Sequence, residues 1–389
     1  MTRKRKQEGR LIIAFILLLI LQASLCGCGQ KTEAMQQTHI TVSAVGDLLI
    51  HNTVFWSVYD RGTGTYNFNP VFAAIAPYLK ASDYCAANLE TRLAGPQFGY
   101  SGYPKFNTPD SLAVDMRETG VDLMATANNH SLDMGWPGIV NTLDCLDAAG
   151  LAHIGTYRTP AEKANPLIVD VRGVKLAWLN YTAVDNGLSL PPDKSFALNF
   201  WDPRAAAEEI RKARQQGAEL VIVIVHMGTE YQRTPNADQQ LIVQQLAAAG
   251  ADVVVNSHPH TVQPIEIVSA RQADGTLHRC VVAYSLGNFI ADQPWRYSDC
   301  GVILYLDIVK DSTGVRVDKV SYLPVWVQKR EAGGVWSFRV LPVLSAASVL
   351  SDASLNSEEK RRMLQAWTDT TSWLNDPAQG ILPYDKSCL

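Results

Sequence analysis

The sequence predicts an α/β protein that is built on mixed sheets. Strand and helix patterns alternate between residues 40 and 256, which is typical of parallel β-α-β units. From residue 262 onward the pattern changes to successive strands with hairpin signals, which favours antiparallel pairing. No linker composition interrupts the chain after residue 39, so both patterns are expected to contribute to one sheet system.

The strands are predicted from short runs of apolar and β-branched residues that are bounded by turn residues. The run 220–225 is continuously apolar, as expected for a strand that is buried on both faces. Arg172-Gly173 is a tight-hairpin signal between two further strands. The predicted strands are 40–45, 83–89, 121–125, 151–154, 166–171, 174–180, 220–225, 252–256, 262–269, 280–285, 301–309 and 315–323.

The helices are predicted from longer runs with recognisable ends. One begins at Pro137 and ends before Gly150, which is the usual order of proline and glycine around a helix. The predicted helices are 71–80, 110–119, 137–149, 202–216, 235–249 and 357–370. The segment 91–108 is rich in glycine, proline and aromatic residues. It is expected to be an ordered loop, either over a site or packed on the body.

Charge and length limit the possible functions. The chain has 389 residues and a formal net charge of -4, which allows one large domain or two ordinary ones. The first 27 residues hold five Lys/Arg and one Glu, so the remainder has 29 basic and 37 acidic residues. This acidic balance, without a basic tract, argues against nucleic acid as a partner.

The N-terminus has the form of an export signal. Basic residues precede an apolar run at 11–21, and small residues lead into Leu25-Cys26-Gly27-Cys28. This stretch resembles the bacterial lipobox, and Cys28 fits the lipidated position better than Cys26, which follows a bulky leucine. The alternative is an uncleaved signal anchor. Both interpretations predict a body outside the cytoplasm, at the outer face of the bacterial cell membrane.

Five cysteines remain beyond the signal and the lipidated position: Cys85, Cys145, Cys280, Cys300 and Cys388. Cys280 and Cys300 flank a single strand and loop and are able to pair, but spacing alone does not fix the pairing. None of the five has Cys-x-x-Cys spacing, so a cysteine-based zinc or redox site is not expected.

Side chains that bind metals follow five predicted strands. They are Asp47 with His51, Asn88 with Glu90, Asn129 with His130, His226 with Glu230, and His258 with His260. The carboxyl ends of strands in open α/β sheets border the crevice in which ligands bind. Imidazole, carboxylate and amide ligands together suit a borderline divalent ion such as Mn, Zn or Fe.

Each of these residues also has a purely structural interpretation. Asp47 follows the turn at Gly46 and is suited to capping the next helix. His226 can be a core histidine with a hydrogen-bond partner, and Asn129 can belong to a turn. Asn288 follows the glycine turn at Gly287, where it either contacts a substrate or simply completes the turn.

The motifs around these residues resemble those of the CapA family, which functions in bacterial capsule and poly-γ-glutamate biosynthesis. They are Val45-Gly46-Asp47, Asn88-Leu89-Glu90-Thr91, Ala127-Asn128-Asn129-His130-Ser131-Leu132-Asp133, His226-Met227-Gly228-Thr229-Glu230-Tyr231, Ser257-His258-Pro259-His260 and Tyr284-Ser285-Leu286-Gly287-Asn288-Phe289. The resemblance extends from about residue 39 to about residue 310. This family is in turn similar to the calcineurin-like metallophosphoesterases, which implies a four-layer α/β/β/α sandwich with one or two metal ions at strand ends.

The resemblance also implies roles for individual residues. The implied metal ligands are Asp47, His51, Glu90, Asn129, His226, His258 and His260. His130 is implied to stabilise the leaving oxygen, and Asn288 to assist at the site. Three positions depart from the phosphoesterase pattern. Leu49 stands in place of a histidine, which leaves His51 as the nearest candidate; Glu90 substitutes for a bridging aspartate; and Ser257 replaces a glycine.

Two functions are compatible with this pattern. The first is a membrane-anchored, metal-dependent hydrolase that acts on a phosphoester or on the γ-glutamyl amide of an anionic polymer such as poly-γ-glutamate. The second is a non-catalytic lipoprotein subunit of a capsule synthesis or export complex, in contact with other capsule synthesis subunits. The predicted organisation is a lipoprotein signal peptide at 1–27, a tether at 28–38, a CapA-like domain at 39–330 and a C-terminal extension at 331–389 that packs on it.

Overall fold

The structure is a computed structural model that describes residues 37–384. The predicted signal peptide, Cys28 and Cys388 lie outside the described residues. Within residues 37–384, no helix combines the length and the hydropathy that a membrane crossing requires.

Strands make up most of the regular structure. They are β1 (Thr38–Leu48), β2 (Tyr59–Asp60), β3 (Thr65–Tyr66), β4 (Tyr84–Asn88), β5 (Leu123–Ala125), β6 (Ala152–Ile154), β7 (Leu167–Val171), β8 (Val174–Thr182), β9 (Leu220–His226), β10 (Val253–Ser257), β11 (Val262–Arg271), β12 (Leu277–Leu286), β13 (Asn288–Ile290), β14 (Cys300–Asp311), β15 (Gly314–Ala332), β16 (Val335–Pro342) and β17 (Ile381–Pro383).

The α-helices are α1 (Asn52–Ser57), α2 (Asn69–Phe72), α3 (Ala76–Leu79), α4 (Ser111–Thr119), α5 (Gly135–Ala148), α6 (Pro160–Lys163), α7 (Pro203–Gln215), α8 (Ala237–Ala249), α9 (Ala346–Ser351) and α10 (Ser357–Leu374). Two short 3-10 turns lie at Pro96–Phe98 and Pro192–Ala197.

Two mixed sheets carry the fold. The first has the order β16-β15-β14-β1-β4-β5-β6, with β13 and β17 paired to β1 and β15. Within it, β1 is parallel to β4 and antiparallel to β14. The second has the order β11-β12-β10-β9-β8-β7, with a parallel centre and antiparallel strands at both edges. The predicted change from parallel units to antiparallel strands is therefore confirmed.

The two sheets pack face to face, and helices cover their outer faces. The inter-sheet core contains Ile40, Val42, Leu123, Trp178, Ile222 and Val255. The outer face of the first sheet packs on α4 and α5 through residues that include Met116, Met124, Ile139 and Leu143. The outer face of the second packs on α7 and α8 through residues that include Ile210, Val223, Val243 and Leu246. This arrangement confirms the predicted four-layer α/β/β/α sandwich.

The predicted helix 71–80 is wrong, because the segment forms two separate turns, α2 and α3. Pro77 lacks a backbone N–H, so it cannot donate to the carbonyl oxygen of Ala73 four residues earlier, as a continuous helix would require. It therefore cannot continue a helix that began at Asn69, and it is placed instead in the first turn of α3. By contrast, the predicted hairpin is confirmed: Arg172 and Gly173 have φ angles of 52° and 86° between the antiparallel strands β7 and β8.

Cys280 and Cys300 do not pair, and Cys85 and Cys145 are also free thiols. Cys280 lies in β12 and faces the helices that cover the second sheet. Cys300 lies in β14 of the first sheet, in a cluster with Trp326 and Met363. Because the two side chains belong to different sheets and different apolar clusters, the possible bridge between them does not form.

The C-terminal helix α10 is tied to the first sheet by an ion pair that predicts a pH-dependent stability. Arg330 Nη2 donates to Glu359 Oε2 at 2.7 Å, and Glu359 also accepts from the backbone N–H of Asn356 in a capping box. The hydrogen bond from Arg330 lowers the pKa of Glu359 below its usual value of 4.5. The stabilisation is therefore fully present above pH 4.5 and is lost as the pH falls through the lower pKa of the folded state.

We expect Glu359→Gln to lower the free energy of unfolding by about 1 kcal/mol at pH 7, with a difference that shrinks toward zero in acid. Glu358→Gln is the matched control, because Glu358 pairs with Arg361 on an exposed helix surface. Urea denaturation of both variants between pH 3 and 7 measures the effect. A Glu359→Gln deficit that does not change with pH would contradict the assignment.

Candidate metal centre

The strand ends of both sheets meet at one edge of the sandwich. In the first sheet, Asp47 of β1 is in register with Asn88 of β4 and Asn288 of β13. In the second sheet, His226 at the end of β9 is in register with Ser257 at the end of β10. His258 and His260 follow β10 directly, so their imidazoles lie at the same edge of the sandwich as Asp47.

The predicted turn at Gly46 is wrong, because Gly46 and Asp47 both lie within β1. Gly46 instead stands at an irregularity in the pairing of β1 with β4, and this position requires glycine. A Cβ atom on Gly46 would lie 1.9 Å from the carbonyl oxygen of Gly287, a backbone atom that cannot swing away. This close approach allows the backbone N–H of Asp47 to donate to the same oxygen at 3.1 Å. The motif around Gly287 is therefore structural support for Asp47, besides presenting Asn288.

Six acidic and histidine side chains form three overlapping groups of possible ligands. The groups are Glu90, His226 and His258; Asp47, Glu90 and His260; and Glu230, His258 and His260. Within each group the ligand atoms lie within 4.8 Å of one another. All members are buried except Glu230, which is exposed. Glu90 belongs to two groups, so the set offers ligands for one ion or for two.

Glu90 shows that these residues fit a cation. Its carboxylate is fully buried, and neither oxygen has a hydrogen-bond partner. The nearest imidazole nitrogens are His226 Nε2 at 3.4 Å and His260 Nε2 at 3.8 Å. Burial, followed by the charge of Asp47, raises the pKa of Glu90 well above its usual range. An ionised carboxylate that is buried without partners is costly, so this carboxyl group either takes up a proton or is compensated by a bound cation.

His258 is a second buried residue whose unpaired atom fits a metal ion. Its Nδ1 is buried and has no hydrogen-bond partner, and its ring centroid is 4.8 Å from that of His226. Burial, followed by the charge of His260, lowers the pKa of His258 to about 4. Neutral imidazole is the form that binds a metal ion. The backbone φ of His258 is 102°, a strained value that is typical of functional sites.

Asp47 and His260 form a close carboxylate–imidazole pair within the site. His260 Nδ1 lies 3.1 Å from Asp47 Oδ2 and 3.0 Å from Asn288 Oδ1. Burial alone raises the pKa of Asp47, but the hydrogen bond and charge of His260 outweigh burial and hold that pKa well below its usual range. Asn88 Nδ2 also donates to Asp47 Oδ1 at 2.7 Å. Asp47 is therefore kept as an anion within the cluster.

Amide groups surround His226. Asn129 Oδ1 lies 2.9 Å from His226 Nε2, and Asn88 Nδ2 lies 3.3 Å from His226 Nδ1. Burial, followed by the charge of His258, lowers the pKa of His226 well below its usual range. Asn129 is thus placed beside the imidazole cluster, as the sequence motif suggests, and the roles predicted for Asn129 and Asn288 as ligand and assisting group stay predictions.

His130 is held beside the cluster by an acidic partner. His130 Nδ1 lies 2.8 Å from Asp133 Oδ2, which also accepts from the backbone N–H of Phe106 at 2.7 Å. The Phe106 ring packs edge-on against the His130 ring at 4.7 Å. Asn186 Nδ2 lies 3.4 Å from His130 Nδ1. The segment 91–108 therefore reaches the site, and it orients His130 through Phe106.

His51 is not brought into any of the three ligand groups in the described part of the chain. Its Nδ1 lies 3.2 Å from the carbonyl oxygen of Leu49 and accepts from the backbone N–H of Asp292 at 3.1 Å. Burial lowers the pKa of His51 to about 4. The turn that follows β1 thus directs His51 toward Asp292 and away from the ligand groups. Leu49 is buried against Phe106 and Ala291.

Two residues of this site were not assigned a role from the sequence. Asp133 lies three residues after His130, and that spacing within a turn would have suggested the contact. Asn186 follows β8 in a loop without a recognisable motif, so only the folded arrangement places it near Asn129 and His130.

A cavity of about 450 Å³ opens above His130. Its lining includes Tyr103, Lys105, Asn129, Glu230 and Tyr231. This volume is in the usual range for small-molecule sites, and its polar lining converges on the groups that could act on a substrate.

Comparison with known proteins identifies relatives of the chain. The family described as "Bacterial capsule synthesis protein PGA_cap" matches residues 41–293. The capsule biosynthesis protein CapA of Bacillus anthracis is 28% identical over 319 residues, which cover 78% of this chain and 74% of the relative. The PGA biosynthesis protein CapA of Bacillus subtilis (strain 168) is 27% identical over 321 residues, which cover 80% of both chains.

Similar solved structures include the NAD nucleotidase of Haemophilus influenzae, with a TM-score of 0.47 and 14% identity over 90% of this chain and 65% of that protein. The calcineurin-like phosphoesterase YfkN of Bacillus subtilis has a TM-score of 0.39 and 15% identity over 87% of this chain and 99% of that one. A likeness at this level carries no argument about activity or substrate.

Proposed function

The chain belongs to the PGA_cap family of bacterial capsule synthesis proteins, and we propose that it is a metal-dependent hydrolase acting in the synthesis of an anionic capsule polymer. Membership of this family confirms the resemblance that the six sequence motifs indicated. The observation that supports the proposal is the fully buried Glu90 carboxylate, which has no hydrogen-bond partner and lies among three imidazoles. We propose that the site binds one or two divalent ions of Mn, Zn or Fe. The proposed ligands are Asp47, Glu90, His226, His258 and His260.

A bound divalent ion would supply Lewis-acid polarisation of the substrate oxygen and of water. The chain's own residues supply proton transfer and orientation. His130 Nδ1 is paired with Asp133, so Nε2 is the nitrogen that remains for the substrate. In the imidazolium form, His130 donates the Nε2 proton to the leaving atom as its bond breaks, and the Asp133 carboxylate stabilises the charged ring.

The substrate bond is proposed to be a phosphoester or the γ-glutamyl amide of a polymer such as poly-γ-glutamate. In either case water supplies the oxygen that attacks phosphorus or the carbonyl carbon, and the leaving oxygen or nitrogen takes the proton from His130. The polymer enters the proposal from the names of the relatives, which are capsule and PGA biosynthesis proteins. Lys105 at the cavity is a cation that suits an anionic substrate.

The proposed location is the extracytoplasmic face of the cell membrane, with a lipid anchor on Cys28. This part of the proposal rests on the lipobox-like stretch Leu25-Cys26-Gly27-Cys28. Metabolic labelling with a fatty acid tests it: label is expected on the full chain and is expected to be lost in Cys28→Ala.

The second candidate function is a non-catalytic subunit that works with other capsule synthesis subunits. It is favoured by two observations. His51 lies outside the ligand groups of the described residues, and Leu49 stands where phosphoesterases have a histidine. A subunit of this kind would support capsule formation without His130.

The test combines turnover with metal content. The full chain, loaded in turn with Mn, Zn or Fe, is assayed on an activated phosphodiester and on poly-γ-glutamate. We expect turnover of one of these substrates, and we expect His130→Gln to lower kcat by roughly 10²- to 10⁴-fold while the metal content stays unchanged. His153→Gln is the matched control, because His153 Nε2 pairs with Asp147 at 3.1 Å away from the ligand groups. No turnover of either substrate by the loaded protein would refute the hydrolase and favour the subunit.

A further inference from the structure

We propose that Tyr231 and Trp295 form a subsite beside the metal centre that binds a ring-bearing group of the substrate, a sugar ring or a nucleobase. The inference rests on the proposed hydrolase function, since it names a part of the substrate that this same site would take. It goes beyond that function because neither capsule synthesis nor hydrolysis requires the substrate to carry a ring.

Tyr231 lies between the metal centre and the open cavity. It lines the cavity of about 450 Å³ together with His130. Its ring centroid is 6.0 Å from that of His260 on one side and 5.8 Å from that of Trp295 on the other, where the two rings meet edge to face. A ring that contacts Tyr231 and Trp295 would therefore lie next to a group held at the ligand cluster.

The backbone of Tyr231 is strained. Its φ is 63°, in the left-handed region that bulky side chains rarely adopt. The conformation is maintained by its backbone N–H, which donates to the carbonyl oxygen of Pro259 at 2.7 Å. Its hydroxyl accepts from Gln293 Nε2 at 3.3 Å, and Gln293 Oε1 accepts from Asn288. Strain that the surroundings maintain in this way is typical of residues that contact a ligand.

The aromatic side chains of the proposed subsite are exposed to solvent. Tyr231 is 43% exposed and Trp295 is 49% exposed, and Tyr103, which also lines the cavity, is 76% exposed. Single exposed aromatic side chains are ordinary on protein surfaces, whereas exposed aromatic side chains that contact one another beside a cavity are typical of a ligand-binding groove. Stacking of one ring on an aromatic side chain contributes enough to change affinity by about tenfold or more.

Polar groups around these rings suit a ring with hydrophilic edges. The amide of Gln293 contacts Tyr231, and Asn186 and Lys105 line the same cavity. A purely apolar ligand would remove the Lys105 ammonium from water without giving it a partner, which is costly. Sugars and nucleobases share the required chemistry, namely a flat or stackable face bordered by hydrogen-bonding groups.

The test measures binding of phosphonates, which cannot be hydrolysed. Calorimetry with the metal-loaded full chain compares methylphosphonate with the phosphonate analogues of glucose 1-phosphate and of AMP. We expect at least one ring-bearing compound to bind about tenfold more tightly than methylphosphonate. The compound with the larger advantage identifies the ring as a sugar or as a nucleobase.

Variants then assign this advantage to the two side chains. We expect Trp295→Ala and Tyr231→Asn each to bring the ratio of ring-bearing to methylphosphonate affinity close to one, and Trp295→Phe to keep most of it. Asparagine tolerates positive φ, so Tyr231→Asn is not expected to lower the midpoint of thermal unfolding. Tyr59→Asn and Trp56→Ala are the matched controls. Tyr59 is 43% exposed, like Tyr231. Trp56 is 58% exposed and contacts the ring of Phe55, much as Trp295 contacts Tyr231.

Two outcomes overturn the subsite. Equal affinity for all three phosphonates refutes it while leaving the metal centre intact, and so does a ring advantage that survives both Trp295→Ala and Tyr231→Asn. If methylphosphonate itself shows no metal-dependent binding, the phosphoester form of the proposed function fails, and the subsite fails with it, while turnover of poly-γ-glutamate tests the amide form separately.

Discussion

Replacing His258 by alanine is expected to lower the affinity for a divalent ion by more than roughly 100-fold, since even residues that only support a ligand typically contribute 10- to 100-fold. His258 belongs to two of the three ligand groups, and its buried Nδ1 has no hydrogen-bond partner. Hydrolytic activity is expected to fall with the metal content. Competition with a metal-sensitive dye measures the affinity, and elemental analysis measures the content.

The control for this prediction is His278→Ala. His278 lies at the start of β12, where its Nε2 contacts the carbonyl oxygen of Ala251 at 3.0 Å, and it belongs to none of the ligand groups. Metal affinity in this variant is expected to match the wild type. A His258→Ala protein that binds the ion within threefold of wild type would show that the cluster is not the binding site.

Replacing Gly46 by alanine is expected to reduce the free energy of unfolding by about 3 kcal/mol or more, because overpacking of this kind typically costs 1–3 kcal/mol and here the obstacle is backbone. The added Cβ would lie 1.9 Å from the Gly287 carbonyl oxygen, so β1 or the turn that follows β12 must shift. Such a shift displaces Asp47, whose N–H bonds to that same oxygen. Loss of metal affinity is therefore expected along with the loss of stability.

Urea denaturation of Gly46→Ala and Gly62→Ala checks this expectation. Gly62 is exposed, and its added Cβ would meet only Asp60 Oδ1 at 3.2 Å. That oxygen accepts from the backbone N–H of Gly62 at 2.7 Å, but it belongs to an exposed side chain and not to the backbone, so a shift of a few tenths of an ångström is enough. The control is expected to change stability by less than about 0.5 kcal/mol. A Gly46→Ala protein as stable as Gly62→Ala would contradict the close approach between these two segments.

Local patterns in the sequence predicted much of this fold because the signals were strong and repeated. The apolar run that leads to His226 and the β-branched run that leads to Asp47 each predict a strand, and parallel pairing then places the ends of these strands at one edge. The turn predicted at Gly46 was wrong, because β1 continues to Leu48. The long strand β15 and strand β16 were harder to predict, because their alternating residues continue through a region without clear turn signals until Gly333. The helix 71–80 failed because the apolar periodicity concealed the effect of Pro77.

The site was predictable in its ligand types but not in its detailed contacts. Asp47, Glu90 and His260 come together because their strands do, as the positions of the motifs suggested. The departure of His51 from the cluster depends on the direction of a single turn, and a one-residue change in such a turn redirects the side chain. The backbone N–H of Phe106 donates to Asp133, and these two residues are 27 positions apart in the sequence. A local sequence pattern therefore could not predict this hydrogen bond.

The most direct test of the account is the anomalous difference map of crystals of the full chain grown with manganese or zinc. The account predicts a peak at the cluster, with ligand atoms of Glu90, His226, His258, Asp47 or His260 at about 2.0–2.2 Å from the ion. One peak or two peaks that share Glu90 would support the site. A map without a peak in this cluster, from protein that elemental analysis shows to carry the ion, would contradict it.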